Sequence, residues 1–296
     1  VLTAILANGH VLIEGVPGVA KTLLARLTAR LIDADFSRVQ FTPDLMPSDV
    51  LGTTVFNMKT NGFDFHQGPI FADIVLVDEI NRAPAKTQAA LFEVMEERQI
   101  SIDGTTHRMG DLYTILATQN PVEQEGTYKL PEAQLDRFLM KITMDYPSLE
   151  EEVNILERHH TNAALVKLDD IVPAITKEEL LSLRAFMNQV FVDRTLLQYI
   201  ALIVQQTRTS KAVYLGASPR ASVAMLQSSK AYALLQGRDF VTPEDIKFVA
   251  PYVLQHRLIL TAEAEMEGYS PVKVTQRLID KVEAVSYTHL RAHETK

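Results

Sequence analysis

Residues 10–22 read HVLIEGVPGVAKT, in which an apolar stretch runs into a glycine-containing loop that ends in lysine and threonine. This order is typical of a phosphate-binding loop, where backbone N–H groups and the following helix N-terminus face a polyanion. The predicted loop comprises Gly15, Val16, Pro17, Gly18, Val19, Ala20, Lys21 and Thr22. Such a loop joins a strand to a helix, so the sequence predicts a parallel α/β sheet around it. A plain Gly/Pro turn is the alternative that this stretch alone leaves open.

Ala20 stands where the pattern G-x-x-x-x-G-K-[ST] has its second glycine. Alanine adds the least bulk of any replacement, and it costs little if its φ is negative, which we expect at the entry to a helix. We expect the Lys21 ammonium to neutralise the β- and γ-phosphates of ATP and the Thr22 hydroxyl to bind Mg²⁺. The loop therefore remains a predicted nucleotide site despite the extra methyl group.

The first half of the chain alternates short apolar stretches with helical patterns. Alternation of this kind predicts a parallel sheet wrapped by helices, and near-continuous apolar runs predict strands buried on both faces. The predicted strands are HVLIEG, SRVQF, ADIVLVDE, LYTILATQN and FLMKITMDY. Two further segments, MKTNGFDFH and QISIDGTTHRM, carry Asn61-Gly62 and Asp103-Gly104, which suit tight turns at positive φ. We predict two inserted β-hairpins, with ordinary surface loops as the alternative.

After Pro147 the pattern changes to helices only. Helix starts are predicted at Thr176, Ser218 and Thr242 from their capping residues, and a helix end is predicted at Gly237. Because the chain opens within an apparent helix and without methionine, we expect a further segment before it. The predicted domains are a nucleotide-binding core over residues 1–147, a linker over 148–175, a helical lid over 176–284 and a non-native tail over 285–296.

Polar residues follow two of the apolar strands, at the edge where open α/β sheets bind their ligands. The strand IVLVDE ends in Asp78 and Glu79, which suit Mg²⁺ binding and activation of a water for attack on the γ-phosphate, respectively. A solvated turn or helix cap is the alternative for such a pair. The strand LYTILATQN ends in Asn120, whose amide can orient the attacking water, although an amide before proline is also a common turn former.

Two arginines stand in positions that suggest a role with nucleotide. Arg137 lies in LPEAQLDRF, and Arg220 lies just inside the helix that Ser218 and Pro219 begin. Either can instead be a structural ion-pair residue, and Asp136 is an obvious local partner for Arg137. Position alone does not separate the two interpretations.

The composition limits the classes of function. A formal charge of −8 and a pI near 5.5 give no bulk attraction to nucleic acid or to anionic membrane surfaces. The absence of cysteine excludes a disulfide framework and thiolate metal sites, and it suits a reducing cytoplasm. No apolar run approaches the roughly 20 residues that a membrane helix needs, so we expect no direct membrane insertion. His159 and His160 are expected to face solvent, because adjacent helical residues do not share a face.

The motifs GVPGVAKT, IVLVDE, ATQNP, EAQLDRF and GASPR follow one another in the order and spacing of the AAA+ ATPases. More narrowly, the chain resembles the MoxR family over nearly its whole length, and alanine before the Walker lysine is a familiar variant in that clade. The resemblance implies a P-loop AAA+ core with β-hairpin insertions, followed by a smaller all-α lid, with ATP between core and lid. It also implies that a segment before Val1 helps to form the adenine pocket.

By the same resemblance, each predicted site residue has a named role. Residues 15–22 are the Walker A loop, Asp78 and Glu79 the Walker B pair, Asn120 the sensor-1 residue, and Arg220 the sensor-2 residue on the lid. Arg137 matches the arginine finger, which is offered to the ATP of a neighbouring subunit, so the family assembles as rings, usually hexamers. The two hairpins would face the pore or the substrate.

Members of this family look like chaperone-type ATPases that act with von Willebrand factor A domain partners to mature client proteins or insert metal cofactors. We therefore predict an ATP-hydrolysing remodelling protein. A nucleic-acid motor of the MCM-like helicase type is the alternative, because those rings share the Ala-Lys loop and both insertions. The sparse basic residues of QISIDGTTHRM and the net acidity weigh against it. A GTPase-like switch is disfavoured because the chain has no Asn-Lys-x-Asp motif, which reads guanine. A small-molecule kinase is disfavoured because it would not need Asn120, Arg137 and Arg220 in this order.

Overall fold

The computed structural model describes residues 1–120, 128, 130–161 and 168–293. Its central strands are β1 His10–Gly15, β2 Phe36–Gln40, β5 Ile74–Asp78, β8 Thr114–Gln119 and β9 Phe138–Met144. They form one parallel five-stranded sheet in the order β2-β5-β8-β1-β9. The strands coincide with the apolar segments of the sequence, so the predicted sheet is confirmed.

Successive residues of the central strands point to opposite faces of the sheet, and each face has its own apolar cluster. Val11 and Ile13 of β1 lie in one cluster, whereas Leu12 lies in the other. β5 is buried along its whole length, as expected of a strand covered on both faces. The helices that cover these faces in the first half are α1 Leu2–Leu6, α2 Lys21–Leu31, α3 Pro47–Leu51, α4 Ala85–Glu97 and α5 Glu132–Leu135.

Both predicted insertions are antiparallel hairpins. The first pairs β3 Gly52–Asn57 with β4 Gly62–Gln67, and the second pairs β6 Gln99–Ile102 with β7 Thr105–Arg108. In the second, Asp103 and Gly104 have φ values of 50° and 78°, as a two-residue turn between twisted strands requires. The first turn differs from the prediction, because Gly62 pairs with Asn57 as part of the ladder and residues 58–61 form a longer loop.

The second half is helical, with a short antiparallel ladder between β10 Val213–Leu215 and β11 Ile259–Leu260. Its buried side chains include Ile203, Met225 and Val249, which belong to the same apolar cluster as Val11. The helical half and the sheet therefore share one core. The helices are α6 Leu149–His160, α7 Lys177–Met187, α8 Arg194–Thr209, α9 Pro219–Leu235, α10 Pro243–Leu254, α11 Ala262–Met266 and α12 Pro271–His293.

The predicted helix boundaries of this half are confirmed. The backbone N–H of Thr176 donates to Glu179 at 2.8 Å, and the N–H of Thr242 donates to Asp245 at 2.8 Å, so both capping boxes form. Ser218 caps α9, whose end is followed by Gly237 at a φ of 72°. These signals are local, and they depend little on how the helices pack.

Two further expectations concern the ends and surface of the helical half. α12 continues to His293, so the predicted boundary at residue 285 falls within a helix, and the non-native origin of residues 285–296 stays a prediction. His159 and His160 are exposed, as expected for neighbours on a solvated helix. Among the residues that the structure describes, none of the helices combines the length and the apolar character that a membrane span requires.

Candidate nucleotide site

The phosphate loop leaves the sheet at Gly15 and enters α2 at Lys21. Lys21 Nζ donates to the carbonyl oxygen of Gly15 at 2.6 Å, so the ammonium is held across the mouth of the loop. A Cβ atom at Gly15 would lie 2.7 Å from the carbonyl oxygen of Met144, which makes glycine necessary beside β9. Gly18 adopts a φ of 88°, which also favours glycine. The glycines therefore shape the loop that the sequence predicted.

Ala20 has a φ of 57° and a ψ of 28°, so the expectation of a negative φ is wrong. Ala20 is the N-cap residue of α2, and the loop needs a left-handed residue there to turn its last peptide into the helix. A left-handed conformation costs an alanine roughly 1–2 kcal/mol, because its Cβ crowds the neighbouring carbonyl oxygen. The methyl group is therefore accommodated with backbone strain.

The acidic pair lies at the same sheet edge as the loop. Asp78 is the last residue of β5 and its side chain is only 9% exposed. Thr118 Oγ1 donates to Asp78 Oδ1 at 3.0 Å, and Arg38 Nε donates to Asp78 Oδ2 at 2.6 Å. Both carboxylate oxygens are thus oriented, one by a neutral hydroxyl and one by a cation.

Glu79 follows directly and has a left-handed φ of 56°. Its carboxylate Oε2 accepts from Gln40 Nε2 at 2.8 Å and lies 3.1 Å from Arg82 Nη1. Its backbone N–H donates to Thr118 Oγ1 at 3.0 Å. The turn after β5 therefore sends the two carboxylates to different partners, with Asp78 in the interior and Glu79 near the surface.

Asn120 follows β8, which lies between β1 and β5 in the sheet. Its side chain is buried at this edge, between the strand that carries the phosphate loop and the strand that carries Asp78. The structure thus brings the loop, the acidic pair and Asn120 to one edge. A cavity of about 620 Å³ opens there against Gly18, Val19 and Ala20.

The other wall of that cavity includes Glu151, Asn154 and Arg158 of α6, which belongs to the predicted linker. None of the described residues that line this cavity comes from the predicted lid at 176–284. This cavity therefore lies between the loop and α6, and the position of nucleotide between core and lid stays a prediction. The lid docks elsewhere, against the apolar cluster that contains Val11.

Arg137 and Arg220 lie at the opposite edge of the sheet. Arg137 immediately precedes β9, whose first residue, Phe138, pairs with His10 at the start of β1. Since β1 has 6 residues, this point is roughly 16–20 Å from the phosphate loop at the far end of the strand. The two arginines meet on one carboxylate, because Arg137 Nη2 lies 2.9 Å from Glu96 Oε2 and Arg220 Nη2 lies 2.8 Å from Glu96 Oε1.

A second cavity, of about 480 Å³, lies beside these arginines. Among the described residues, its charged lining consists of Arg98, Arg137, Arg220 and Arg257 with the single carboxylate of Asp136. His10 also lines it, and burial lowers the pKa of this imidazole to about 3, with a further contribution from the charge of Arg98. The imidazole is therefore neutral, and the net positive charge of the cavity comes from the arginines.

Comparison with known proteins identifies the family. A model described as "ATPase family associated with various cellular activities (AAA)" matches residues 10–140, and one described as "AAA lid domain" matches residues 205–280. The sequence is 44% identical to Chaperone MoxR1 of Mycobacterium tuberculosis over 95% of this chain and 76% of that protein. The chain belongs to the MoxR family of AAA+ ATPases.

Two further similarities agree with this assignment. The MoxR-family chain is 48% identical to Uncharacterized protein YeaC of Bacillus subtilis, over 95% of its own length and 87% of that protein. The crystal structure of an ATPase candidate from Cytophaga hutchinsonii matches it with a TM-score of 0.84 and 42% identity, covering 96% of this chain and 86% of that one. The predicted family and fold are confirmed.

Four residues that hold the acidic pair of this MoxR-family protein were missed by sequence reasoning, namely Arg38, Gln40, Arg82 and Thr118. Arg38 and Gln40 are two positions apart on β2 and therefore share one face of the strand. Gln40 pairs with Asp78 in the register of the sheet, which brings that face to the acidic pair. The polar alternation in SRVQ was the available signal, but it has no meaning until β2 is known to lie beside β5.

Proposed function

We propose that this MoxR-family ATPase binds ATP with Mg²⁺ at the loop edge of the sheet and hydrolyses it with help from a neighbouring subunit. The single observation that supports this arrangement is the separation of the site residues between opposite ends of β1. The loop, Asp78, Glu79 and Asn120 lie at one end, and the two arginines lie at the other. One chain therefore holds the two halves of a site at opposite edges of its sheet, so each half needs the complementary half of a neighbouring chain.

The residues at the loop edge fit a magnesium nucleotide. Hydroxyl and carboxylate oxygens are the ligands that Mg²⁺ prefers, and Thr22 and Asp78 supply them. The metal ion would neutralise charge on the β- and γ-phosphates. Lys21 would bind the same phosphates, Glu79 would accept a proton from the attacking water, and Asn120 would orient that water. Arg38 is about half exposed, so it can leave Asp78 when Mg²⁺ enters.

The arginine edge would complete the site of the next subunit. Arginine guanidinium groups stabilise charge on a transferring phosphoryl group, and Arg137 and Arg220 lie together beside a basic cavity. We propose that both arginines act in trans, with Glu96 holding them until the neighbouring nucleotide arrives. Repetition of this contact produces a closed ring, for which we propose a hexamer.

The test is to measure ATP turnover for Glu79→Gln, Arg137→Ala and Arg220→Ala, each alone and each arginine variant mixed with Glu79→Gln. We expect the ATP turnover of each single variant to fall at least about 100-fold, because each variant lacks a residue from one half of every site. A mixture with Glu79→Gln should regain activity, since intact arginines would then stand beside an intact acidic pair. Arg194→Ala, which alters an exposed arginine on α8, should turn over like wild type.

Unchanged turnover of Glu79→Gln or Arg137→Ala would refute the role assigned to that residue. If Arg220→Ala loses activity but gains nothing from mixing, Arg220 acts within its own chain, and the proposed trans arrangement is wrong for it. Mass measurement of the nucleotide-bound assembly checks the proposed hexamer independently of turnover.

We further propose that the ATPase remodels a client protein in the cytoplasm, together with a von Willebrand factor A domain partner, in protein maturation or metal cofactor insertion. The chaperone name of the M. tuberculosis relative supports the remodelling role. Affinity capture with Glu79→Gln in the presence of ATP tests it. Recovery of a protein with such a domain supports the proposal, and its absence from a capture that retains other proteins counts against this partner.

The nucleic-acid motor is the weaker candidate. Hairpin β3–β4 carries Lys59 and Asp64, and hairpin β6–β7 carries Asp103 and Arg108, so positive and negative side chains balance. Proteins that track a phosphate backbone carry a denser set of basic side chains. Turnover that rises with single-stranded DNA and loses this response at high salt would reverse the ranking.

A further inference from the structure

Arg257 lies between α10 and β11, where the helical half meets the sheet, and its side chain is only 4% exposed. A guanidinium has five N–H donors, and here each has an acceptor. Nε donates to Asp136 Oδ1 at 2.6 Å. Nη2 donates to the carbonyl oxygens of Asp136 and Phe138, and Nη1 to those of Leu139 and Val253. Arg257 therefore fixes the backbone that enters β9.

The second oxygen of the same carboxylate connects to the lid. Asp136 Oδ2 accepts a hydrogen bond from Ser218 Oγ at 3.0 Å. Ser218 Oγ in turn accepts from the backbone N–H of Arg220 at 3.2 Å, as the cap of α9. Asp136 thus links the guanidinium of Arg257 to the first turn of α9.

These bonds end at the backbones of the two trans arginines. Arg137 is the next residue after Asp136, and Arg220 is the second residue of α9. Their side chains also meet on Glu96, but Arg220 is 60% exposed and Glu96 is 36% exposed. Exposed ion pairs are weak because water competes for both charges. The bonds of the Arg257 side chain, which is 4% exposed, therefore fix the backbones that carry the two arginines more firmly than the exposed bridge through Glu96 does. Arg137 Nη1 also donates to the carbonyl oxygen of Phe92.

We propose that Arg257 is a positioning residue that, through Asp136 and Ser218, places Arg137 and Arg220 for the nucleotide of the neighbouring subunit. This inference rests on the proposed function, because it requires the two arginines to act in trans. Arg257 itself touches neither nucleotide nor neighbour in this assignment. Its loss disorders the pair of arginines while the chain's own loop, Asp78 and Glu79 stay intact.

The experiment compares Arg257→Met with Arg184→Met in the otherwise unchanged chain. Arg184 is a matched control, because it is also a largely buried arginine that ties the helical half to the core. Its Nε and Nη2 donate to the carbonyl oxygen of Ile5 and its Nη1 to that of Asp111. It has no bond to Asp136, Ser218 or either trans arginine among the bonds of the described residues.

We measure ATP turnover of each variant alone and mixed with an equal amount of Glu79→Gln. Arg257→Met alone should lose at least about 10-fold in turnover at saturating ATP, since the two arginines that it displaces act on the transition state. Mixed with Glu79→Gln, it should turn over several-fold faster than the sum of the two separate proteins. Any loss that Arg184→Met suffers should not be restored by the same mixing. Arg257→Lys should restore little of the ATP turnover, because a single ammonium group cannot make the five hydrogen bonds of the planar guanidinium.

Wild-type turnover of Arg257→Met overturns the proposal, and so does a loss that mixing does not restore while mixing does restore Arg137→Ala. If Arg137→Ala itself gains nothing from mixing, the trans arrangement has failed, and this inference fails with it. Should Arg257→Met not fold at the assay temperature, Asp136→Asn gives the same test with a side chain of the same shape. An Asp136→Asn variant that is folded and as active as wild type refutes the network.

Discussion

Replacing Ala20 by glycine should stabilise the protein, although glycine usually destabilises the interior of a helix. Ala20 is left-handed, with a φ of 57°, and glycine reaches this region without the Cβ clash. Relief of roughly 1–2 kcal/mol of strain is offset by about 0.5–1 kcal/mol of extra backbone entropy in the unfolded chain. The net gain in the free energy of unfolding is therefore about 0.5–1 kcal/mol.

The matched control is Ala201→Gly, the same chemical change at an exposed position inside α8. Glycine at a regular helical position costs about 1 kcal/mol, so the two variants should differ from each other by roughly 1.5–2 kcal/mol. For a chain of 296 residues, that difference corresponds to roughly 2–3 °C in Tm. Thermal melts of the two variants and the wild type, recorded without nucleotide, measure it.

The direction in which Ala20→Gly changes the Tm decides whether Ala20 is strained. If Ala20→Gly melts below the wild type, as Ala201→Gly should, then Ala20 is not strained and the left-handed assignment is wrong. Nucleotide is left out of the melts because binding adds stability that depends on ligand concentration and would mask the difference.

Three further predictions concern charge. Burial holds the pKa of His10 at about 3, so between about pH 6.5 and pH 3 the unfolded chain binds a proton that the folded chain does not. The free energy of unfolding should therefore fall by about 1.6 kcal/mol between pH 6.5 and pH 5 because of this histidine. Urea unfolding at both pH values should show this fall, and His10→Gln should reduce it; an unchanged pH dependence contradicts the neutral assignment. Asp245→Ala removes the carboxylate that Arg238 Nη1 and Nη2 both contact, and it should lower the free energy of unfolding by roughly 2–3 kcal/mol, because Arg238 keeps partial access to water. Arg38→Met removes a cation from Asp78, so the Mg²⁺ concentration for half-maximal turnover should fall roughly five-fold, and a rise would show that Arg38 supports metal binding.

The parts of the fold that sequence reasoning predicted depend on neighbours along the chain. The five strands follow from apolar runs, and the helix starts at Thr176, Ser218 and Thr242 follow from capping residues within three positions. The turn at Asp103-Gly104 is set by the dihedral preferences of those two residues. Each of these signals lies within the segment that it shapes.

The features that could not be predicted from the sequence depend on segments far apart in the chain. The φ of Ala20 is imposed by the path of the whole loop, not by the residue's own preference. Arg38 reaches Asp78 only because β2 lies beside β5, a pairing across 40 positions. The position of Arg220 depends on where the helical half docks, which involves a bond between Arg257 and Asp136, 121 positions apart. No local pattern carries that information.

The opposed ends of β1 also limit which assemblies can work. If each chain offers arginines at one end and a nucleotide loop at the other, the contact between chains is head-to-tail and never self-complementary. An open row of n chains then leaves one loop without arginines and one pair of arginines without a loop, so it holds n − 1 complete sites. Closure adds the missing site without adding a chain. Turnover per chain should therefore rise with protein concentration and level off only when no free ends remain.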